Sequence, residues 1–245
     1  MTPLPPVDSR RLRRFELFAG LPEPVLNGLA GATRVEKFSA GACIWRQGEE
    51  NRLVLFIEHG LAVTSRQTRE GVDRAYGIYG PGDSLGVFAI WAGMRYPTNA
   101  LALNSGLIAL GLDTDALVRC AEREPALAEP LRGEIGRFTE SFLRKIDIVS
   151  AGAVSTRIAT LLAILIERYG TTTATRRACL PYKLTLAQVG SITDARVETV
   201  ARVFSEWKRQ GWLATDSEGI HVLELDRLHA LVQAWTAASA PDRPG

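Results

Sequence analysis

Glu198 and Arg202 lie four residues apart, one helical turn, within Val197-Glu198-Thr199-Val200-Ala201-Arg202. An arginine guanidinium donates two parallel hydrogen bonds to O6 and N7 of guanine, and a carboxylate accepts one from the N4 amino group of cytosine. Near the start of a helix this pair has the chemistry to read bases in a DNA major groove, with Val197, Thr199 and Ala201 beside it. The same spacing fits an ordinary surface ion pair, which contributes about 0.3–0.5 kcal/mol. Charge distribution bears on the choice. The whole chain carries a net charge of only +2, yet seven basic residues stand against three acidic ones between Arg176 and Arg209, a local +4 (7 − 3). A positive patch fits that stretch, with Arg196, Lys208 and Arg209 as candidate phosphate contacts.

These side chains need a scaffold, and the neighbouring sequence supplies one. Thr185-Leu186-Ala187-Gln188 has the spacing of a reciprocal capping box, so a helix is expected from Leu186 to Ile192. A turn at Thr193-Asp194-Ala195 leads into a second helix from Arg196 to Gln210, whose buried face is Val200, Val203, Phe204 and Trp207. Two helices joined by a three-residue turn make a helix-turn-helix. A helix over about 154–169 and a polar loop over 170–183 precede it, and a hairpin from Leu213 to Leu225 follows, which is winged-helix order. The tail from Ala237 to Gly245 is expected to fray.

Upstream, Leu127, Leu131, Ile135, Phe138, Phe142, Ile146 and Val149 recur at steps of four and three, which predicts one long helix with a single apolar stripe. Gly133 and Gly136 weaken its intrinsic propensity, so packing must hold it. A second copy of the same helix is the simplest partner, and the barrel of its own chain is the alternative. Ser150-Ala151-Gly152-Ala153 interrupts the stripe and reads as a hinge, placing a domain boundary near 150.

Before Leu112 the pattern is different. Eleven of the 22 glycines fall between Gly41 and Gly111, among short runs of β-forming residues. His59-Gly60, Arg69-Glu70-Gly71, Gly80-Pro81-Gly82-Asp83 and Asn104-Ser105-Gly106 punctuate these runs, the first as a hairpin-type connection. Regular short strands suggest a jelly-roll-like barrel, followed by a short helix through Cys120 that Thr114 can cap. The fold class is therefore α+β. The domains expected are a β-roll with N-terminal helices over 1–122, a dimerisation helix over 123–150, a winged helix-turn-helix over 151–236 and a tail over 237–245.

Composition narrows the function classes. With 46% hydrophobic and 23% charged residues over 245 positions, the chain can bury a full core. The most lipid-like stretch, Ile158 to Ile166, is too short to span a bilayer, and the Arg10 to Arg14 cluster is followed by no signal-peptide pattern. Cys43, Cys120 and Cys179 match no metal-ligand spacing and are read as reduced thiols, which with the rest points to the cytoplasm and away from membrane partners. A cupin-like metalloenzyme would need clustered ligands in the barrel, where His59 is the lone histidine, so no catalytic or metal residues are assigned.

The string Val189-Gly190-Ser191-Ile192 followed by Val197-Glu198-Thr199-Val200-Ala201-Arg202 resembles the helix-turn-helix of the cyclic-AMP receptor and fumarate-nitrate-reduction (Crp/Fnr) superfamily of bacterial transcription factors, and its form is closer to the second branch. Leu17-Phe18-Ala19-Gly20-Leu21, Gln47-Gly48-Glu49, His59-Gly60 and Gly80-Pro81-Gly82-Asp83-Ser84-Leu85-Gly86 extend the resemblance from about residue 15 to 230. It implies a β-roll sensor, a central dimer helix, a winged helix on palindromic double-stranded DNA, and RNA polymerase as a protein partner. It also implies where an effector would sit, at Gly86, Val87, Phe88, Pro97, Thr98, Phe138 and Phe142. Three family anchors for cyclic AMP are replaced: the ribose-binding glutamate by Val87, the phosphate-binding Arg-Ser pair by Pro97-Thr98, and the base-contacting Thr-Ser pair by Phe142-Leu143. Burying a cyclic phosphate without a cation is costly, so no response to cyclic AMP is expected. The N-terminal cysteine cluster of the iron-sulfur branch is absent, and no cofactor is assigned. Haem stays open through His59, His221 or His229, as does a small-molecule- or haem-sensing module acting through protein partners. The family's turn glycine is Asp194 here and its usual Ser or Thr cap is Arg196, which suggests a shifted helix start with Asp194 as the cap.

Overall fold

The computed structural model describes residues 6–69, 71, 73–103 and 106–239. The chain forms two compact units, residues 1–67 with 75–142, and residues 68–74 with 143–245.

In the first unit, two antiparallel four-stranded sheets face each other. One has the order β1 (Thr33–Phe38), β8 (Leu107–Asp113), β3 (Leu53–His59), β6 (Ser84–Leu85); the other runs β2 (Cys43–Trp45), β7 (Asn99–Ala102), β4 (Ala62–Gln67), β5 (Asp73–Tyr79). Side chains of a strand alternate between faces, and β3 uses both. Leu55 and Ile57 point into the barrel with Trp45, Tyr79, Leu85, Tyr96 and Leu107. Val54 and Phe56 point outward beneath α1 (Ser9–Leu12), α2 (Glu23–Gly31) and the 3-10 turn Glu16–Phe18, where Phe18 lies 4.8 Å from Phe56. The jelly-roll reading holds with one correction. His59-Gly60 is not a hairpin, because β3 pairs with β8 and β6 while β4 pairs in the other sheet. Gly60 carries the chain between sheets at φ +89°, where a Cβ would stand 2.7 Å from Leu107 Cα. Glu70, Asn104 and Ser105 of the expected turns lie outside the described residues.

Two further helices are α3 (Val87–Trp91) and α4 (Thr114–Arg123); α4 runs past Cys120, and its cap is not Thr114 but the Asp113 carboxylate, which accepts from Ala116 N at 2.8 Å. The long helix α5 runs over Ala128–Ser150, close to the expected span. The division between units falls inside it, at 142/143, rather than near 150.

The second unit is built on α6 (Val154–Tyr169), whose Ile158, Leu161, Leu162 and Leu165 are buried. Around it lie α7 (Leu186–Thr193), α8 (Val197–Arg209), α9 (Leu225–Ser239) and a four-stranded sheet in the order β11 (Leu213–Thr215), β12 (Ile220–Val222), β10 (Ala178–Leu180), β9 (Thr171–Thr172). Residues 170–183 are therefore not all loop: Ala178, Cys179 and Leu180 pair with Val222, His221 and Ile220. Strands of two and three residues show no alternation long enough to detect in sequence. Helix α9 continues past 236 to Ser239, and 240–245 lie outside the described residues.

Candidate nucleic-acid interface

Helix α7 begins as its sequence dictates. Gln188 N donates to Thr185 Oγ1 at 3.1 Å and Thr185 N donates to Gln188 Oε1 at 2.8 Å, so both capping-box bonds form. The turn that follows is tight. Ala195 N donates to Gly190 O at 2.9 Å, and a Cβ on Gly190 would lie 2.8 Å from Ala195 O. Asp194 sits at φ +52°, ψ +47° as the C-terminal cap of α7, and Arg196 is the N-cap of α8 without a side-chain bond. Asp194 is thus not the cap of the second helix, and the helix start is not shifted toward it. Aspartate tolerates the left-handed region that glycine usually fills, so the turn survives the replacement.

Helix α8 buries Val200, Phe204 and Trp207, while Val203 of the expected buried face is only half-buried, and Trp207 stacks at 5.9 Å on Trp212. Opposite that face, Arg196, Val197, Glu198, Arg202, Ser205, Lys208 and Arg209 are exposed, with Thr199 and Ala201 half-buried beside them. Among the described residues the side chains of Glu198 and Arg202 have no hydrogen-bond or ion-pair partner, so the local ion pair that their spacing permits does not form. Two other cations of this face, Lys208 and Arg209, are engaged. Lys208 Nζ donates to Thr215 Oγ1 at 2.6 Å, tying α8 to β11, and Arg209 pairs with Glu206 at 2.6 Å, which lowers the Glu206 carboxyl pKa.

In the wing, the carboxylate of Asp216 accepts from Glu218 N at 2.7 Å and Gly219 N at 3.1 Å, and lies 2.8 Å from His221 Nε2. The bond from Glu218 N is the largest cause that lowers its pKa, followed by the contact with His221 and then the bond from Gly219 N. His221 therefore belongs to the turn, His59 is exposed at the end of β3, and His229 is half-buried in α9. Among the described residues no three His, Cys, Asp or Glu side chains converge as a metal-holding group, and no helix is long and apolar enough to cross a membrane.

Sequence reasoning missed two residues of this element. Lys145 Nζ donates to Ile192 O at 2.5 Å, and Arg157 Nη1 lies 3.4 Å from both Thr193 O and Asp194 O. In sequence each is an ordinary helix cation, and nothing in the spacing announces that they meet the end of α7.

The apolar stripe, which begins at Leu127 in the 3-10 turn Pro125–Leu127 and continues along α5, divides. Leu127 and Leu131 are 0% and 4% exposed within their own unit, packed with Leu12, Phe18 and Leu117. That is a correction to their place in a subunit interface, since a residue already enclosed has no surface to offer. Ile135, Phe138 and Val149 are half-buried, while Phe142, Leu143 and Ile146 stand 42%, 54% and 42% exposed.

Around the expected effector site, Gly86 at φ +97° starts α3, and Val87 is 3% exposed in the core outside the barrel. Phe88 stacks on Phe138 at 4.1 Å, and Phe142 stacks on Tyr76 at 6.4 Å. Pro97 O accepts from Arg66 Nε at 2.9 Å, and Thr98 beside it is half-buried. Inside the barrel, Trp45 and Tyr96 stack at 4.1 Å, and the Tyr96 hydroxyl donates to Leu53 O at 2.7 Å.

Comparison with known proteins matches both units. Residues 35–124 match the Cyclic nucleotide-binding domain family, and residues 156–231 match the Crp-like helix-turn-helix domain family. The CRP-like cAMP-activated global transcriptional regulator of Mycobacterium tuberculosis is 22% identical over 218 residues, covering 89% of this chain and 96% of its own. The transcriptional activator protein anr of Pseudomonas aeruginosa is 25% identical over 196 residues, covering 78% and 77%. The structure of FixK2 from Bradyrhizobium japonicum superposes with a TM-score of 0.69 at 19% identity, over 81% of this chain and 96% of that one.

Proposed function

Because the chain belongs to the Crp/Fnr superfamily of DNA-binding transcription regulators, we propose that it works as a homodimer reading a palindromic operator through Glu198 and Arg202. The observation that carries this reading is the exposed face of α8, where a carboxylate and a guanidinium stand one turn apart without partners. An unpaired guanidinium keeps its full donor set for guanine, and Glu198 is free to accept from a cytosine amino group. Arg196, Lys208 and Arg209 flank them as phosphate contacts, with Val197, Thr199 and Ala201 lining the same face. The open apolar surface of Phe142, Leu143 and Ile146, extended by Ile135, Phe138 and Val149, supports pairing of two α5 helices. That pairing would set two α8 helices one DNA turn apart, about 34 Å. RNA polymerase is the protein partner that a transcription regulator of this kind implies.

Cyclic AMP is not the signal in this reading. Val87 is enclosed by apolar neighbours, and Pro97 offers a backbone carbonyl where a cyclic phosphate needs a donor. An apolar effector is the kind that the surroundings of Val87 would take. A cavity of about 350 Å³ lies outside the barrel against α3, lined by Val87, Ile90, Trp91, Leu117 and Leu131.

Binding-site selection with wild type and Arg202→Ala tests the reading. The substitution is expected to remove preference at one G·C pair per half-site, worth about 1–3 kcal/mol, while salt-dependent nonspecific binding persists. Recovery of one motif with equal information at that pair by both proteins would refute the assignment.

A further inference from the structure

The end of α7 exposes the carbonyls of Ile192, Thr193 and Asp194, because the chain leaves the helix at Asp194 in the left-handed conformation. Their partners are cations rather than backbone amides. Lys145, from the last turns of α5, donates to Ile192 O at 2.5 Å. Arg157, from the first turn of α6, places Nη1 3.4 Å from both Thr193 O and Asp194 O, and its Nε donates to Gly152 O at 2.9 Å. Gly152, at φ +66°, lies in the link between those two helices. Both cations also sit at the negative end of the α7 dipole.

We propose that Lys145 and Arg157 are positioning residues for DNA binding, clamping the carbonyl end of α7 so that the turn presents α8 at a set angle to the groove. This rests on the DNA-binding reading of α7 and α8. The clamp joins the end of the long helix directly to the helix-turn-helix, so a shift of that end moves the carbonyls that carry α8. Fold stability alone does not account for Lys145. Its ammonium is largely buried, and burial pulls its pKa down to about 8, with Arg74 and Arg157 adding to the fall and Asp194 opposing it. Asp194 faces it from the turn, Arg74 from the segment 68–74 and Arg157 from α6; Arg74 also pairs with Asp194 at 2.9 Å. A cation held where its charge is disfavoured costs stability, so its gain lies in the geometry it imposes.

The test is a pH profile of full-length protein on a fluorescein-labelled duplex carrying the selected operator, at fixed salt from pH 6.5 to 9.5. Carboxylates and guanidiniums do not titrate in that range. Wild-type affinity is expected to fall at least about tenfold through pH 8, the worth of one charge-assisted hydrogen bond. Lys145→Arg should hold its affinity across the range. Lys145→Met should bind weakly and independently of pH, with nonspecific affinity within about twofold of wild type and an unchanged or higher melting temperature. A wild-type profile flat through pH 8, Lys145→Met binding like wild type, or parallel loss of its binding and melting temperature would each overturn the proposal. If Lys145→Met fails to fold, the Lys145→Arg profile decides alone, its fall parallel to wild type being the negative result. A wild type that binds no duplex at any pH refutes the DNA-binding reading instead, and the clamp with it.

Discussion

Replacing Gly190 by alanine tests how tightly the helix-turn-helix is built. In an open helix the exchange is favourable, since alanine exceeds glycine in helix propensity by about 1 kcal/mol. At Gly190 the added methyl meets Ala195 O at 2.8 Å and Val197 Cγ2 at 3.7 Å. The first contact is closer than real Cβ atoms come to a neighbour, and its partner is backbone, so relief requires the turn to move by several tenths of an ångström. That turn is pinned by the bond from Ala195 N to Gly190 O at 2.9 Å and by the capped end of α7. Overpacking of this kind costs about 1–3 kcal/mol, which outweighs the propensity gain and leaves a net loss of about 1 kcal/mol. Gly28 in α2 is the control, because it is exposed and its Cβ would meet nothing within 4 Å. Gly28→Ala should stabilise the chain by about 0.5–1 kcal/mol. Calorimetric unfolding of the full chain measures both variants, and operator affinity measured alongside should fall for Gly190→Ala alone. A Gly190→Ala protein as stable as Gly28→Ala, with unchanged affinity, would refute the account of the turn.

Three further outcomes follow from the same geometry. If two α5 helices pair as proposed, Phe142→Asp with Ile146→Asp should give a monomer by sedimentation, because facing carboxylates in an apolar seam disfavour association by several kcal/mol; a fully dimeric variant would place the interface elsewhere. Calorimetric titration with cyclic AMP and cyclic GMP should give no measurable heat of binding, and micromolar affinity would contradict the reading of Val87 and Pro97. Lys145 should also shape stability against pH. Its folded pKa lies near 8 against 10.5 in the open chain, so between these values the unfolded state binds more protons and stability rises with pH. The full gain is about 3 kcal/mol, at roughly 1.4 kcal/mol per pKa unit, and the difference between wild type and Lys145→Met in alkaline denaturation should display it.

Short-range chemistry was legible in the residues themselves. The Thr185 and Gln188 capping box, the buried face of Val200, Phe204 and Trp207, and the long helix ending at Ser150 each depend on spacing within one or two turns, which a sequence states directly. So did the strand-rich character of the first half and the exposed placement of Glu198 and Arg202. Tertiary structure decided what spacing leaves degenerate. The apolar stripe that runs into α5 looks uniform, yet Leu127 and Leu131 are enclosed by the helices and barrel around them while Phe142 and Ile146 stay open, because the neighbours along a helix change with its depth in the fold. The link at His59-Gly60 has the composition of a hairpin, and only sheet pairing shows that it crosses between sheets. Whether Glu198 and Arg202 pair is a rotamer choice that a four-residue interval permits but does not compel. The cations on the α7 carbonyls come from residues 47 and 36 positions away from their first partners, a separation at which no local pattern exists and only folding brings charge and dipole together.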